Sequence, residues 1–188
     1  NNLMASESHA IVRLTPIYCH KRIVKDLLRC FLHTIIFHRA LGVVQPEEAE
    51  LTEYPQIVFA KCKSLFIDTQ VNQAVERFDH VMQSKGILEN TCCLVFKQQK
   101  EEFGWFGASK KVTTPFEEWR ITVRLVVENE NIEKPILAGI REILNYVNQN
   151  RGHIPPKTTR DLVTFPFEIT SLIERQSQTS GVWDSIFS

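Results

Sequence analysis

TCCLVFKQQKEEFGWFGASKKVTTPFEEWRITVRLVVE, residues Thr91–Glu128, is the stretch around which the rest of the chain is organised. Its first nine residues, Thr91–Gln99, are strand-like. From Trp119 to Val127 the residues Trp119, Ile121, Val123, Leu125 and Val127 alternate with Arg120, Thr122, Arg124 and Val126, a period of two that gives each strand one buried face. Between the strands, Lys100–Phe116 reads as a long hairpin loop carrying Phe103, Trp105 and Phe106, with Lys97, Lys100, Lys110 and Lys111 around them. Three large aromatics cost solubility when exposed, so this loop either folds back as a minicore or is kept for a partner. Gly104 and Gly107 on both sides of Trp105-Phe106 predict a mobile tip.

Working outward, Ala10, Val12 and Leu14 predict a short edge strand stopped at Thr15-Pro16. His20–Leu41 has helical periodicity. Its polar stripe of Arg22, Lys25, Asp26, Arg29 and His33 ends where Ile36 and Phe37 begin, so the second half is apolar nearly all round and predicts a central helix burying Phe31, Ile35 and Phe37. Gln45–Glu53, with four glutamates and a proline, reads as a solvated acidic loop. Gln56–Ile67 reads as one bent strand or two short ones, followed by a helix capped at Asp68 or Thr69. That helix carries the stripe Val71, Val75, Phe78, Met82 and ends near Gly86. A third helix is expected after Asn129–Asn131, with Pro135 in its first turn and Ile132, Ile136, Ile140, Ile143, Leu144 and Val147 on one side. After the linker His153-Ile-Pro-Pro, the alternation of Val163, Phe165, Phe167 and Ile169 predicts an edge strand or one with a bulge, because Pro166 has no N–H to donate. The order of elements is that of an α+β fold with a largely antiparallel sheet packed against three helices. One domain is expected over residues 5–188, with 1–3 ahead of Met4 as a cloning remnant and 174–188 as a polar, mobile tail ending in Val182, Trp183, Ile186 and Phe187.

Composition narrows the function classes. Lys plus Arg equals Asp plus Glu at 22 each, so no global field draws the chain to nucleic acid or to an anionic membrane. No apolar run reaches membrane-spanning length and the first twenty residues do not read as a secretion signal, which predicts a soluble intracellular protein. The five cysteines lack framework spacing and read as small apolar residues in a reducing compartment. Neither a metal nor a cofactor is expected. His33 and His38 stand about 140° apart around a helix, Cys92 and Cys93 point to opposite faces of their strand, and no phosphate-binding loop or catalytic triad stands out. Glu117 and Glu118 diverge as neighbours on a strand and read as solvated charge.

Several motifs resemble the autophagy-related protein 101 family. Leu32-His33-Thr34-Ile35-Ile36-Phe37-His38-Arg39-Ala40-Leu41-Gly42 resembles its first-helix signature, and Pro115-Phe116-Glu117-x-Trp119-x-Ile121-x-Val123 the strand after its finger loop. Trp105-Phe106 falls where that family carries an exposed Trp/Phe finger, here without an intervening proline. His153-Ile154-Pro155 and Phe165-Pro166-Phe167-Glu168-Ile169 resemble its later linker and strand, so that the likeness covers roughly Ala10 to Thr170. The segment after the third helix is shorter than in the family, and the residues after Ser171 have no counterpart.

The resemblance implies a HORMA domain and a non-enzymatic scaffold in the autophagy-initiation kinase complex, cytoplasmic and at the phagophore assembly site. It further implies pairing with the HORMA domain of autophagy-related protein 13. Trp105 and Phe106 would recruit downstream autophagy factors, and Arg141, Asn145 and Tyr146 on the third helix would contribute to the partner interface. Neither nucleic acid nor stable membrane insertion is expected. The rival from another class treats the Lys/aromatic loop as a stacking platform for single-stranded nucleic acid.

Overall fold

The computed structural model describes residues 9–40, 42–103, 109–127, 131–156 and 164–176, with backbone alone at 101–103 and 109. Strands β1 (Ala10–Arg13) and β2 (Ile17–Cys19) are followed by a single 3-10 turn and α1 (Val24–Arg39). Then come β3 (Pro46–Glu50), β4 (Val58–Cys62), α2 (Leu65–Ser84), β5 (Glu89–Phe103), β6 (Ser109–Leu125), α3 (Glu133–Gln149) and β7 (Phe167–Ser171). The main sheet has the order β1-β6-β5-β7, and β2 also pairs with β6. Its heart is antiparallel, β6 on β5 on β7, whereas β1 and β2 run parallel to β6. Pro16 ends β1 as expected, but the chain resumes pairing at Ile17 instead of leaving the sheet.

The inward faces of β5 and β6 are set by the period-two pattern. Cys92, Leu94 and Phe96 stand opposite Ile121, Trp119 and Glu117, and all six are at most 2% exposed. The strand ends at Leu125, so Val127 falls beyond the ladder and is fully open to solvent. Pro115 has no N–H to give the ladder, and the register slips between Phe96 and Lys97 so that Phe116 becomes the extra residue. Lys97 N–H donates instead to the Pro166 carbonyl at 2.8 Å. The late strand lies at the edge of the sheet, but it begins at Phe167, so Pro166 stands just ahead of the ladder and not within it.

Helix α1 is the central helix. Phe31 and Ile35 are fully buried and Phe37 is half-buried, with α2, α3 and β4 packed around them. Along α3 the buried residues are Ile136, Gly139, Ile143 and Val147, and Gly139 lets α3 approach closely: a Cβ there would lie 2.4 Å from Phe31 Cζ. Helix α2 buries Val71, Val75, Phe78 and Met82, and the chain turns away through Gly86 at φ +60°.

Two local expectations are corrected. The acidic segment Gln45–Glu53 is not a loop throughout, because Pro46–Glu50 pairs with β4. Glu47 faces Lys61, with an ion pair of 3.0 Å, and Ala49 faces Phe59, so the inward positions of this strand find partners that composition does not reveal. Helix α2 starts before Asp68 and Thr69. Ser64 is its cap and accepts a hydrogen bond from the Ile67 N–H, which places Asp68 within the first turn.

Candidate interaction surfaces

The aromatic tip is carried on a longer ladder than the sequence suggested. Pairing of β5 with β6 continues to Phe103 opposite Ser109, leaving only residues 104–108 as the connection, where a loop from Lys100 to Phe116 was expected. The backbone register runs on past the irregularity at Phe96/Lys97, with Gln99 opposite Thr113 and Lys100 opposite Val112, β-branched residues at facing positions. Lys97 is ion-paired with Glu168 of β7. Trp105 and Phe106 lie outside the described residues, as do Val163 and the C-terminal Val182, Trp183, Ile186 and Phe187.

At the root of the hairpin, β6 is locked to both α1 and α3. Arg39, in the last turn of α1, forms a two-pronged pair with Glu117, Nε to Oε1 and Nη2 to Oε2 both at 2.9 Å, with the two side chains 1% and 0% exposed. Glu117 also accepts from Trp119 Nε1 and bonds His153 Nε2. The Arg39 guanidinium further donates to the carbonyls of Val147 at 3.4 Å and Asn150 at 3.2 Å, where a cation complements the C-terminal end of α3. The reading of Glu117 and Glu118 as solvated charge is therefore overturned: both are buried. They do diverge, each to its own face. Glu118 meets His9, Arg120 and Arg175 on the other side of the sheet. Burial opposes its ionisation, but hydrogen bonds from Arg120 and His9 and the charge of Arg175 outweigh this and hold its carboxyl below the usual range.

Of the three residues expected at a partner interface, Arg141 and Asn145 are exposed on α3. Tyr146 is half-buried: its ring meets Trp119 edge-on, with centroids 5.1 Å apart, and the Arg39 guanidinium lies 5.8 Å from its centre. Tyr146 therefore ties the outer face of α3 to the buried Arg39–Glu117 pair. Glu117 shares the inward parity of Trp119, Ile121 and Val123, which is the signal that could have marked it as buried; Arg39 and His153 carry no comparable signal.

On the other flank of α1, His33 is 5% exposed although it continues the polar stripe, and its ring is stacked near Phe59. Burial pushes its pKa down to about 4 against an opposing pull from Asp68. The folded protein thus holds His33 neutral, whereas the unfolded chain takes up a proton below about 6.5. The associated stability is complete above that value and is lost as pH falls towards 4, by on the order of 2–3 kcal/mol. Urea unfolding between pH 7 and 4.5 should show this decline, and His33→Gln should flatten its upper part.

All five cysteines are buried thiols, with Cys19 and Cys30 pushed up to about 12 and Cys62 and Cys93 to about 11 by desolvation, which leaves no thiolate nucleophile near neutral pH. Among the described residues no cluster of His, Cys, Asp and Glu is placed to hold a metal ion, and no helix is long and apolar enough to cross a membrane.

A mostly antiparallel sheet packed with α1, α2 and α3, with parallel edge strands and a long central hairpin, defines an α+β protein compatible with a HORMA-like fold. The family model described as Autophagy-related protein 101 matches residues 16–161. The chain belongs to this family, and its role is an autophagy-related one. Autophagy-related protein 101 of Arabidopsis thaliana is 25% identical to it over 175 residues, covering 78% of this chain and 80% of that protein.

Proposed function

We propose that the chain is a non-enzymatic adaptor of autophagy initiation, folded as one HORMA domain over residues 5–188. It pairs with the HORMA domain of autophagy-related protein 13 and recruits downstream factors through Trp105 and Phe106, in the cytoplasm and at the phagophore assembly site. The observation that carries this reading is the family match across residues 16–161, which spans the hairpin and α3 alike. The geometry supports it physically. A ladder rooted in the buried Arg39–Glu117 pair is a rigid stalk for an aromatic anchor, and Arg141 and Asn145 stand free on a helix whose inner side is fixed by Tyr146 and Gly139.

Size-exclusion chromatography of this chain mixed with the HORMA domain of autophagy-related protein 13 at micromolar concentration should give a heterodimer, and a chain that stays apart sinks the pairing. Arg141→Glu should weaken that heterodimer by roughly tenfold, the size expected for reversing one charge at an interface. The finger is tested separately. Trp105→Ala with Phe106→Ala should keep both the melting temperature and the pairing while abolishing recruitment of downstream factors. A double variant that melts many degrees lower would instead show a self-docked minicore, since burying two aromatics is worth several kcal/mol.

A further inference from the structure

The main sheet carries arginines in register on its outer face, the one turned away from Trp119 and so from α1 and α3. Ile11 and Arg13 of β1 lie beside Glu118 and Arg120 of β6, which makes Arg13 and Arg120 neighbours on one face of two parallel strands. Adjacent strands run about 4.8 Å apart, so this is a like-charge pair at a spacing where repulsion is felt. The carboxylate beside it is already shared. Glu118 accepts from Arg120 at 2.7 Å and from Arg175 at 3.1 Å, bonds His9 at 3.1 Å, and is buried. Glu142, which reaches the chain just past β1, accepts from the Thr15 N–H at 3.1 Å. Arg13 is exposed, and its guanidinium has neither a counter-ion nor a hydrogen-bond acceptor among the described residues. Arg124 on the same face is the satisfied case, held by Glu89 at 2.5 Å and by the Tyr18 hydroxyl at 2.6 Å.

Only a strip of this face is open. Cys93 and Val95 of β5 stand opposite Arg120 and Glu118 and point the same way, but both are buried, whereas Ile11 is 38% and Tyr18 54% exposed. We propose that the strip along β1 and β6 binds an extended acidic segment of a partner protein, with one carboxylate bracketed by Arg13 and Arg120 and an apolar side chain laid on Ile11. Arginine presents a planar fork that matches a carboxylate, and two forks side by side supply donors for both of its oxygens. The strand spacing sets the motif. Ile11 and Arg13 are two residues apart on β1, about 6.6 Å, and an extended peptide has the same step, so the apolar residue stands two places from the acid. A narrow strip with one uncompensated cation suits a single peptide. An anionic membrane or a nucleic acid calls for several free cations, and the chain has no net charge to draw either. This surface is separate from α3, whose Tyr146 meets Trp119 on the inner face, so it does not depend on the pairing proposed above.

The test is NMR titration of the full chain with the peptide acetyl-Leu-Ser-Glu-Ser-Leu-amide, following the side-chain Nε–H signals of Arg13 and Arg120. The expected result is a saturable shift at both in the millimolar range, the affinity scale for so few contacts. Binding should be about tenfold weaker when glutamine replaces the peptide's glutamate, which keeps the shape and loses the charge. Arg13→Gln, followed through Arg120, should weaken binding similarly while leaving the melting temperature unchanged, because the Arg13 guanidinium holds nothing in the folded chain. Ile11→Thr should weaken it to a smaller extent. No saturable shift, equal binding of the glutamine peptide, or undiminished binding by Arg13→Gln overturns the proposal. Co-sedimentation with phosphatidylserine vesicles that Arg13→Gln abolishes, in a chain that ignores the peptide, overturns the assignment to a partner protein and gives the strip to a lipid surface.

Discussion

Glu117→Ala is expected to lower stability by about 3–5 kcal/mol, the scale for removing one partner of a buried ion pair. The loss of the carboxylate leaves Arg39, 1% exposed, with a full charge and no counter-ion, held by the carbonyls of Val147 and Asn150 and the faces of Trp119 and Tyr146, and it removes the acceptor of Trp119 Nε1. Equilibrium urea unfolding measures the loss directly. Glu117→Gln should be milder, because an amide oxygen still accepts one of these bonds, although its NH₂ then faces the guanidinium or the His153 ring. A paired replacement, Arg39→Leu with Glu117→Leu, should recover much of the deficit, since it leaves no buried charge unpaired. A Glu117→Ala protein as stable as the parent would mean that the pair contributes nothing beyond the packing around it.

Phe31→Ala should cost a comparable 3–5 kcal/mol, as a large-to-small change at a site with no exposed surface. Here the neighbouring glycine supplies an internal control. Gly139→Ala pushes a methyl to 2.4 Å from Phe31 Cζ and 2.8 Å from Cε2, so on its own it should overpack the junction of α1 and α3 and destabilise by roughly 1–3 kcal/mol. Combined with Phe31→Leu, which withdraws the ring, the added methyl gains space, and the double variant should lose less than the sum of the single losses. Thermal and urea unfolding of the four proteins of this cycle give the coupling. Strict additivity would show that α3 is not seated on the Phe31 ring as described.

Periodicity is a local property of the chain, and the elements it governs were legible in the sequence. The inward residues of β6 follow from alternation from Trp119 to Val123, and the burial of α1 from the end of its polar stripe at Ile36. The family resemblance was legible for a related reason, since its longest motifs lie on α1 and β6. Where a residue's meaning depends on what stands across from it, the sequence alone misled. Pro46–Glu50 is a strand because Lys61 and Phe59 face its inner positions. The hairpin ladder reaches Phe103 because β5 and β6 stay in backbone register beyond the irregularity at Phe96 and Lys97, and β2 exists because the chain after Pro16 returns to β6. Glu117 reads as surface charge until the fold brings Arg39 from 78 residues away and His153 from 36. The physical reason is one of range. Backbone periodicity and missing donors act within a few residues, whereas burying a charge is tolerable only when its counter-charge arrives, and only tertiary structure supplies that.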